Sequence, residues 1–168
     1  AGLTSSDYEL FRVGFNLLPP LLTGKADAVV GAFINYEAIQ IELEGKKSAT
    51  APFEKHGIPD FYELVLIAGG DFLKRRPEVV QGFVRALTEG IEKTLEKPDR
   101  AMETFFKIHP DLRDELHRKS FTTTLPYFKG SPVQTAERWK NFHDFMLERK
   151  LIEKPVPVEE MFKNLEAE

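Results

Sequence analysis

Cysteine is absent from all 168 residues of this chain. Without thiols, the chain can form neither a disulfide framework nor a thiolate metal site. Long hydrophobic runs are also missing, because no apolar stretch approaches the roughly 20 residues that span a bilayer as a helix. Positive charge is not in excess either: the formal net charge is −4 and no basic cluster occurs. A nucleic-acid-binding protein is therefore not expected.

Side chains that could carry catalysis are sparse. His56, His109, His117 and His143 lack the spacing of a metal site and are expected to lie at the surface or to cap helices. No Ser-His-Asp set, phosphate-binding loop or paired-carboxylate motif stands out. The sequence therefore predicts no metal, no cofactor and no catalytic residue. What it does contain, 42% hydrophobic and 30% charged residues, is typical of a soluble globular protein.

Three short segments are predicted to be β-strands. Residues 27–32 and 61–68 are apolar and too short for surface helices, which is typical of strands buried on both faces. Apolar and polar side chains alternate over residues 8–13, which predicts a third strand.

The later chain is predicted to be helical. Apolar residues recur at helical spacing from Pro77 to about Glu96 and again over Thr135–Leu151. A further helix begins at about Asp99 and ends at His109, because the residue before Pro110 avoids the helical region. Mixed α/β structure followed by helices alone contains too few strands for a self-sufficient sheet. We therefore expect the chain to be part of a larger fold.

Polar side chains follow the predicted strand 27–32. Asn35, Tyr36 and Glu37 lie at its carboxyl end, where open α/β sheets bind ligands. The Glu37 carboxylate can accept hydrogen bonds from an exocyclic amine and a ring N–H, Tyr36 offers a flat face, and Asn35 offers a donor and an acceptor. Purely structural roles remain open: Asn35 as a helix N-cap, Glu37 as a first-turn acid and Tyr36 as a core residue.

A second candidate binding element lies upstream. Gly14 precedes a short helix that Asn16 is positioned to cap, with Pro19 and Pro20 in its first turn. The amino end of that helix could hold an anionic group of a ligand.

Several motifs together resemble a known family. They are the stretch from Gly14 to Gln40, which contains Leu-Leu-Thr-Gly-Lys-Ala-Asp-Ala-Val-Val-Gly and Asn-Tyr-Glu, the segment from Pro59 to Ala68, and the segment from Arg75 to Phe83. The chain resembles the second half of type II periplasmic solute-binding proteins, and within them the branch associated with pyrimidine precursors of thiamine. It resembles binding proteins for sulfonates, taurine and nitrate more loosely.

The resemblance implies an α/β fold of two lobes, of which this chain would hold a part of each. Residues 1–53 would belong to the second lobe, residues 54–110 would return to the first lobe, and residues 111–168 would form a helical region packed on the first lobe. The first half of the cleft would be missing. We therefore expect the chain to associate with that missing half or, by domain swapping, with a second copy of itself.

The resemblance also implies a function without catalysis. The protein would be the extracytoplasmic receptor of an ATP-driven (ABC) importer, closing around a small aminopyrimidine by hinge motion and then engaging the membrane permease. Binding of a sulfonate, taurine, nitrate or riboflavin-like ligand remains an alternative. A further alternative is a thiamine-pyrimidine synthase, which the absence of cysteine disfavours because that enzyme family relies on a cysteine-rich motif.

Overall fold

The computed structural model describes residues 2–128 and 132–165. Its longest α-helices lie beyond residue 76. The α-helices of the described residues are α1 (Leu18–Leu22), α2 (Glu37–Leu43), α3 (Gly70–Arg75), α4 (Pro77–Glu96), α5 (Pro98–Ile108), α6 (Glu115–Thr124), α7 (Ala136–Glu148) and α8 (Val158–Met161). Single 3-10 turns cover Phe53–Lys55, Pro110–Leu112 and Leu125–Tyr127. None of the described helices is long and apolar enough to cross a bilayer.

The longest helices follow the sequence pattern closely. Proline occupies the first turn of both α4 and α5, where its fixed φ suits a helix and its missing N–H has no partner to lose. The prediction of a helix over Pro77–Glu96 is confirmed. Helix α7 begins one residue later than predicted, because Thr135 is its N-cap and accepts a hydrogen bond from the Arg138 N–H at 3.4 Å.

The predicted strands are not present. Residues 8–13, 27–32 and 61–68 lie outside regular structure, and no strand occurs anywhere in the described part of the chain. A strand requires a neighbour to complete its ladder of hydrogen bonds, and no backbone hydrogen bond of the described residues joins these three runs to one another. The described residues are about half helical and contain no strand, and the α/β fold of two lobes stays a prediction.

The chain divides into two compact units. The described residues of Ala1–Thr50 and Asp111–Thr124 form the first unit, and those of Ala51–Pro110 and Leu125–Glu168 form the second. The predicted boundaries at residues 53/54 and 110/111 refer to lobes of a larger fold and stay a prediction.

Helix α2 is the centre of the first unit. It contacts both α1 and α6, and its Ile39 is buried. Lys46, just beyond α2, donates a hydrogen bond from Nζ to the Leu22 carbonyl at 2.7 Å. This bond satisfies one of the carbonyls that the end of α1 leaves without a helical partner.

The second unit has an apolar interior between α4 and α5 and a more polar one around α7. Val80 of α4 and Phe106 of α5 are buried. At α7, the Arg138 guanidinium lies 4.3 Å from the centroid of the Tyr62 ring and donates a hydrogen bond to the Phe61 carbonyl at 3.1 Å. Trp139 beside it stacks on Phe162 with ring centroids 6.0 Å apart. Aromatic and cation–π contacts thus fix α7 against the extended segment that precedes α3.

His143 lies in the interior of the second unit, so the expectation that it is a surface or capping residue is wrong. Its Nε2 accepts a hydrogen bond from the Val156 N–H at 3.1 Å, and its Nδ1 lies 3.2 Å from Asp144 Oδ1. An Nε2 that accepts must be unprotonated, so the ring is neutral with its proton on Nδ1. His143 thereby ties the segment after α7 back onto that helix.

Much apolar surface stays in contact with solvent. The accessible surface is 13374 Å², whereas two compact units of these sizes would expose roughly 10,000 Å² together. The predicted strand 61–68 is a clear example, because Leu64 and Ile67 are 84% and 85% exposed. Val65 and Leu66 between them are exposed as well. The two units therefore leave apolar side chains for which the described residues offer no cover.

Candidate functional site

The three adjacent residues singled out from the sequence lie at the start of α2. Asn35, Tyr36 and Glu37 are each half-buried and form the turn from which α2 begins. The turn is closed by a hydrogen bond from the Tyr36 N–H to the Phe33 carbonyl at 3.2 Å. A helix start, and not the end of a strand, therefore positions these side chains.

Asn35 links α2 to α6. Its Nδ2 donates to Thr124 Oγ1 at 2.8 Å, and that hydroxyl donates in turn to the Ser120 carbonyl at 2.7 Å. Tyr36 occupies the N-cap position of α2, so the alternative reading of Asn35 as the N-cap is wrong. Within the described residues, the amide oxygen of Asn35 has no partner and can accept a hydrogen bond from a ligand.

Tyr36 packs against the other end of α6. Its ring meets the His117 imidazole edge to face, with centroids 6.0 Å apart and an interplanar angle of 66°. Such aromatic pairs hold both rings in a defined orientation. This contact orients the Tyr36 ring against α6.

Glu37 is the first residue of α2 and supports the turn before it. Its Oε2 accepts a hydrogen bond from the Phe33 N–H at 2.8 Å. This agrees with the alternative reading of Glu37 as a first-turn acid. The second carboxylate oxygen, Oε1, has no hydrogen-bond partner among the described residues and can still accept from a ligand.

Sequence reasoning missed His117 and Asp114, which adjoin these residues. Asp114 Oδ1 accepts from both the backbone N–H of His117 and the ring Nδ1 of His117, each at 2.8 Å. The spacing Asp-x-x-His at a helix start is a readable local signal for this arrangement. The approach of His117 to Tyr36 has no such signal, because the two residues are far apart in sequence.

The Asp114 carboxylate should titrate below its ordinary range. Hydrogen bonds from the His117 backbone N–H, and then from the His117 ring, lower the pKa of Asp114 below its ordinary value of 3.8. A carboxyl group with a lowered folded-state pKa stabilises the fold above its unfolded pKa, and this contribution is lost as the pH falls through the folded value. The Asp114–His117 contact should therefore persist at neutral pH and weaken only in acid.

An NMR titration tests this assignment. In His117→Ala the ring hydrogen bond is lost while the backbone N–H remains, so the Asp114 pKa should rise toward 3.8 without reaching it. His56→Ala, which changes an exposed histidine outside the first unit, serves as the control. An Asp114 titration curve identical in wild type and His117→Ala would contradict the ring contact.

Gly14 and Asn16 precede α1 in the same compact unit. Gly14 has a φ of +60°, in the region that favours glycine, and the Asn16 N–H donates to the Val13 carbonyl at 3.2 Å. The predicted cap at Asn16 is wrong, because Leu17 is the N-cap of α1 and no side chain caps that helix. Among the described residues, no hydrogen bond or ring contact joins Gly14 or Asn16 to residues 35–37, and their role in binding stays a prediction.

Among the described residues, no group of three or more histidine, aspartate or glutamate side chains lies close enough to hold a metal ion. The candidate site instead combines one free carboxylate oxygen, one free amide oxygen, one aromatic face and an aspartate-bound imidazole. These groups suit a flat polar heterocycle with several N–H donors.

Comparison with known proteins gives one consistent set of relatives. A Haemophilus influenzae protein named for thiamine biosynthesis is 32% identical over 167 residues, which cover 98% of this chain and 52% of that protein. A formylaminopyrimidine-binding protein of Halalkalibacterium halodurans is 31% identical and matches 95% of this chain and 52% of its own length. A 4-amino-5-hydroxymethyl-2-methylpyrimidine phosphate synthase of Legionella pneumophila is 26% identical over 167 residues, which cover 98% of this chain and 52% of that protein.

These names correct one expectation drawn from the sequence. The exclusion of an enzyme is wrong, because the Legionella protein and further relatives carry the name of a synthase, beside one relative named as a binding protein. The absence of cysteine could not decide the matter, since the chain spans about half the length of the curated relatives it matches.

The resemblance to proteins of thiamine pyrimidine precursors is confirmed by the same comparisons. A family model described as NMT1/THI5-like matches residues 1–101, which is more than half of the sequence. The chain belongs to the NMT1/THI5-like family.

Proposed function

We propose that this chain binds an aminopyrimidine precursor of thiamine at the start of α2. The observation that carries the proposal is the half-buried trio Asn35, Tyr36 and Glu37, which retains two free oxygen acceptors beside an oriented aromatic ring. An aminopyrimidine presents exocyclic N–H donors in the plane of a flat ring, and a carboxylate accepts such donors strongly. The formylaminopyrimidine-binding relative supports this class of ligand.

The wider setting follows from the family. Membership in the NMT1/THI5-like family implies a periplasmic-binding-like fold. We infer that this fold has two lobes, which close around the ligand by hinge motion. In this proposal the protein is the extracytoplasmic receptor of an ABC importer, and its closed form engages the permease. Residues from a second lobe would complete the cleft around residues 35–37.

A polypeptide partner is also part of the proposal. The accessible surface exceeds that of two compact units by roughly 3,000 Å², which is more than the area of a standard protein interface. The missing half of the fold would cover this surface by pairing with the exposed run Leu64–Ile67. A second copy of the chain would do so where that half is absent.

A thermal-shift screen tests the ligand class. A ligand at 100 times its Kd adds about 2.7 kcal/mol of stability to the native state, which raises the Tm of a chain of this size by roughly 5–10 °C. We expect this shift in the complete gene product with hydroxymethyl- or formylamino-pyrimidine, and none with riboflavin, taurine or nitrate. A shift with taurine or nitrate alone would contradict the proposal, and so would no shift at all.

A synthase acting on the same pyrimidine is the second candidate. The Asp114–His117 pair favours it, because a neutral histidine that donates Nδ1–H to a carboxylate has Nε2 as a proton acceptor. Expression in a strain that cannot make the pyrimidine separates the two candidates. Growth without any added pyrimidine indicates synthesis. Growth that requires added pyrimidine, but needs only a low external concentration of it, indicates uptake.

A further inference from the structure

The face of α6 that contacts α2 carries side chains that touch the candidate site. His117 and Thr124 are seven residues apart, two helical turns, and therefore lie on the same face of α6. Each contacts one residue of the trio at the start of α2: His117 packs on Tyr36, and Thr124 accepts a hydrogen bond from Asn35. Thr124 is thereby occupied, whereas His117 keeps one polar atom available.

That atom is Nε2, because Nδ1 is engaged by Asp114. A carboxylate can only accept, so the contact between Nδ1 of His117 and Asp114 Oδ1 at 2.8 Å places the ring proton on Nδ1. In the neutral form of the ring, the lone pair is then on Nε2. Within residues 2–128 and 132–165, no hydrogen bond is made to Nε2.

The environment of His117 suits contact with a ligand. Its side chain is 19% exposed, so it is reachable yet largely shielded from water. Hydrogen bonds are electrostatically stronger in such partly dry surroundings, and their loss is correspondingly costly. Its ring is also held on two sides, by Asp114 and by Tyr36, and so needs little ordering on binding.

We propose that His117, oriented by Asp114, is a fourth ligand-binding residue of the pyrimidine site and accepts a hydrogen bond through Nε2 from the exocyclic amine of the ligand. The inference rests on the proposed function. It assigns α6 a direct part in recognition and divides the N–H donors of the ligand between Glu37 and His117. Asp114 is a positioning residue, because it acts through the tautomer and orientation of His117.

Two substitutions at one position separate hydrogen bonding from packing. His117→Asn places an amide near the position of Nδ1 and leaves nothing at Nε2, whereas the longer side chain of His117→Gln can reach the position of Nε2. With 4-amino-5-hydroxymethyl-2-methylpyrimidine as the probe, calorimetry on the complete gene product should show about 10- to 100-fold weaker binding for His117→Asn. His117→Gln should keep most of the affinity, and the exposed-site control His56→Asn should keep all of it.

The role of Asp114 has its own readout. Asp114→Asn no longer dictates which ring nitrogen carries the proton, so nitrogen NMR of His117 should show a mixture of tautomers in place of the Nδ1–H form. Affinity should fall in the wild-type background and stay unchanged in the His117→Asn background, because the two residues act through one contact.

The outcomes are distinguishable. If wild type binds no aminopyrimidine, the proposed function fails and this inference fails with it. If wild type binds and His117→Asn binds equally well, the inference alone is overturned. Equal losses in His117→Asn and His117→Gln would assign His117 to packing on Tyr36 and would also overturn it.

Discussion

Replacing Phe106 by alanine is expected to lower the free energy of unfolding of the second unit by about 3–5 kcal/mol. Phe106 is 1% exposed and is the most deeply buried large side chain among the described residues. It lies on α5, which packs against α4. Removal of its ring loses the transfer free energy of the buried atoms and leaves a cavity that two helices can only partly close.

The neighbouring residue offers a matched control. Phe105 lies on the same helix and is 36% exposed, so Phe105→Ala should cost no more than about 1–2 kcal/mol. Urea unfolding followed by fluorescence measures both variants, because Trp139 is the only tryptophan and belongs to the second unit. Equal losses for Phe105→Ala and Phe106→Ala would contradict the assignment of Phe106 to the core.

Replacing Glu37 by alanine is expected to weaken aminopyrimidine binding by roughly 2–5 kcal/mol, the usual cost of truncating one partner of a buried charged hydrogen bond. The ligand amine would lose its charged acceptor and stay desolvated. Calorimetry with the hydroxymethylpyrimidine probe measures the effect directly. Unchanged affinity would remove Glu37 from the site.

Glu37 also supports its own turn, so the loss of affinity must be separated from local unfolding. Glu37→Gln keeps an oxygen that can accept from the Phe33 N–H and removes only the negative charge. Its affinity should fall between those of wild type and Glu37→Ala, with little change in Tm. Glu42→Gln, which changes an exposed glutamate of the same helix, should leave affinity unchanged.

Local signals in the sequence are sufficient to predict the long helices. Proline at the first turn and apolar residues at helical spacing define α4 within a few consecutive turns. No distant residue has to be known for such a prediction. The start of α2 was likewise found as a ligand-binding candidate from adjacent residues alone.

Features that depend on distant partners could not be predicted. Residues 27–32 and 61–68 have strand-like composition, but a strand exists only beside another strand, and the described residues supply none. The contact of Tyr36 with His117 likewise joins segments separated by a long stretch of chain. Sequence spacing therefore gave three residues of the candidate site and missed the two on and beside α6.

The exposed run Leu64–Ile67 has a consequence for handling the isolated chain. It is a short uncharged segment of β-favouring and aliphatic residues without proline, the composition from which amyloid-like zippers form. Glu63 and Asp71 are the acidic residues that flank it, and flanking charges of this kind oppose such stacking. We therefore expect the solubility of the isolated chain at high concentration to depend on these two carboxylates.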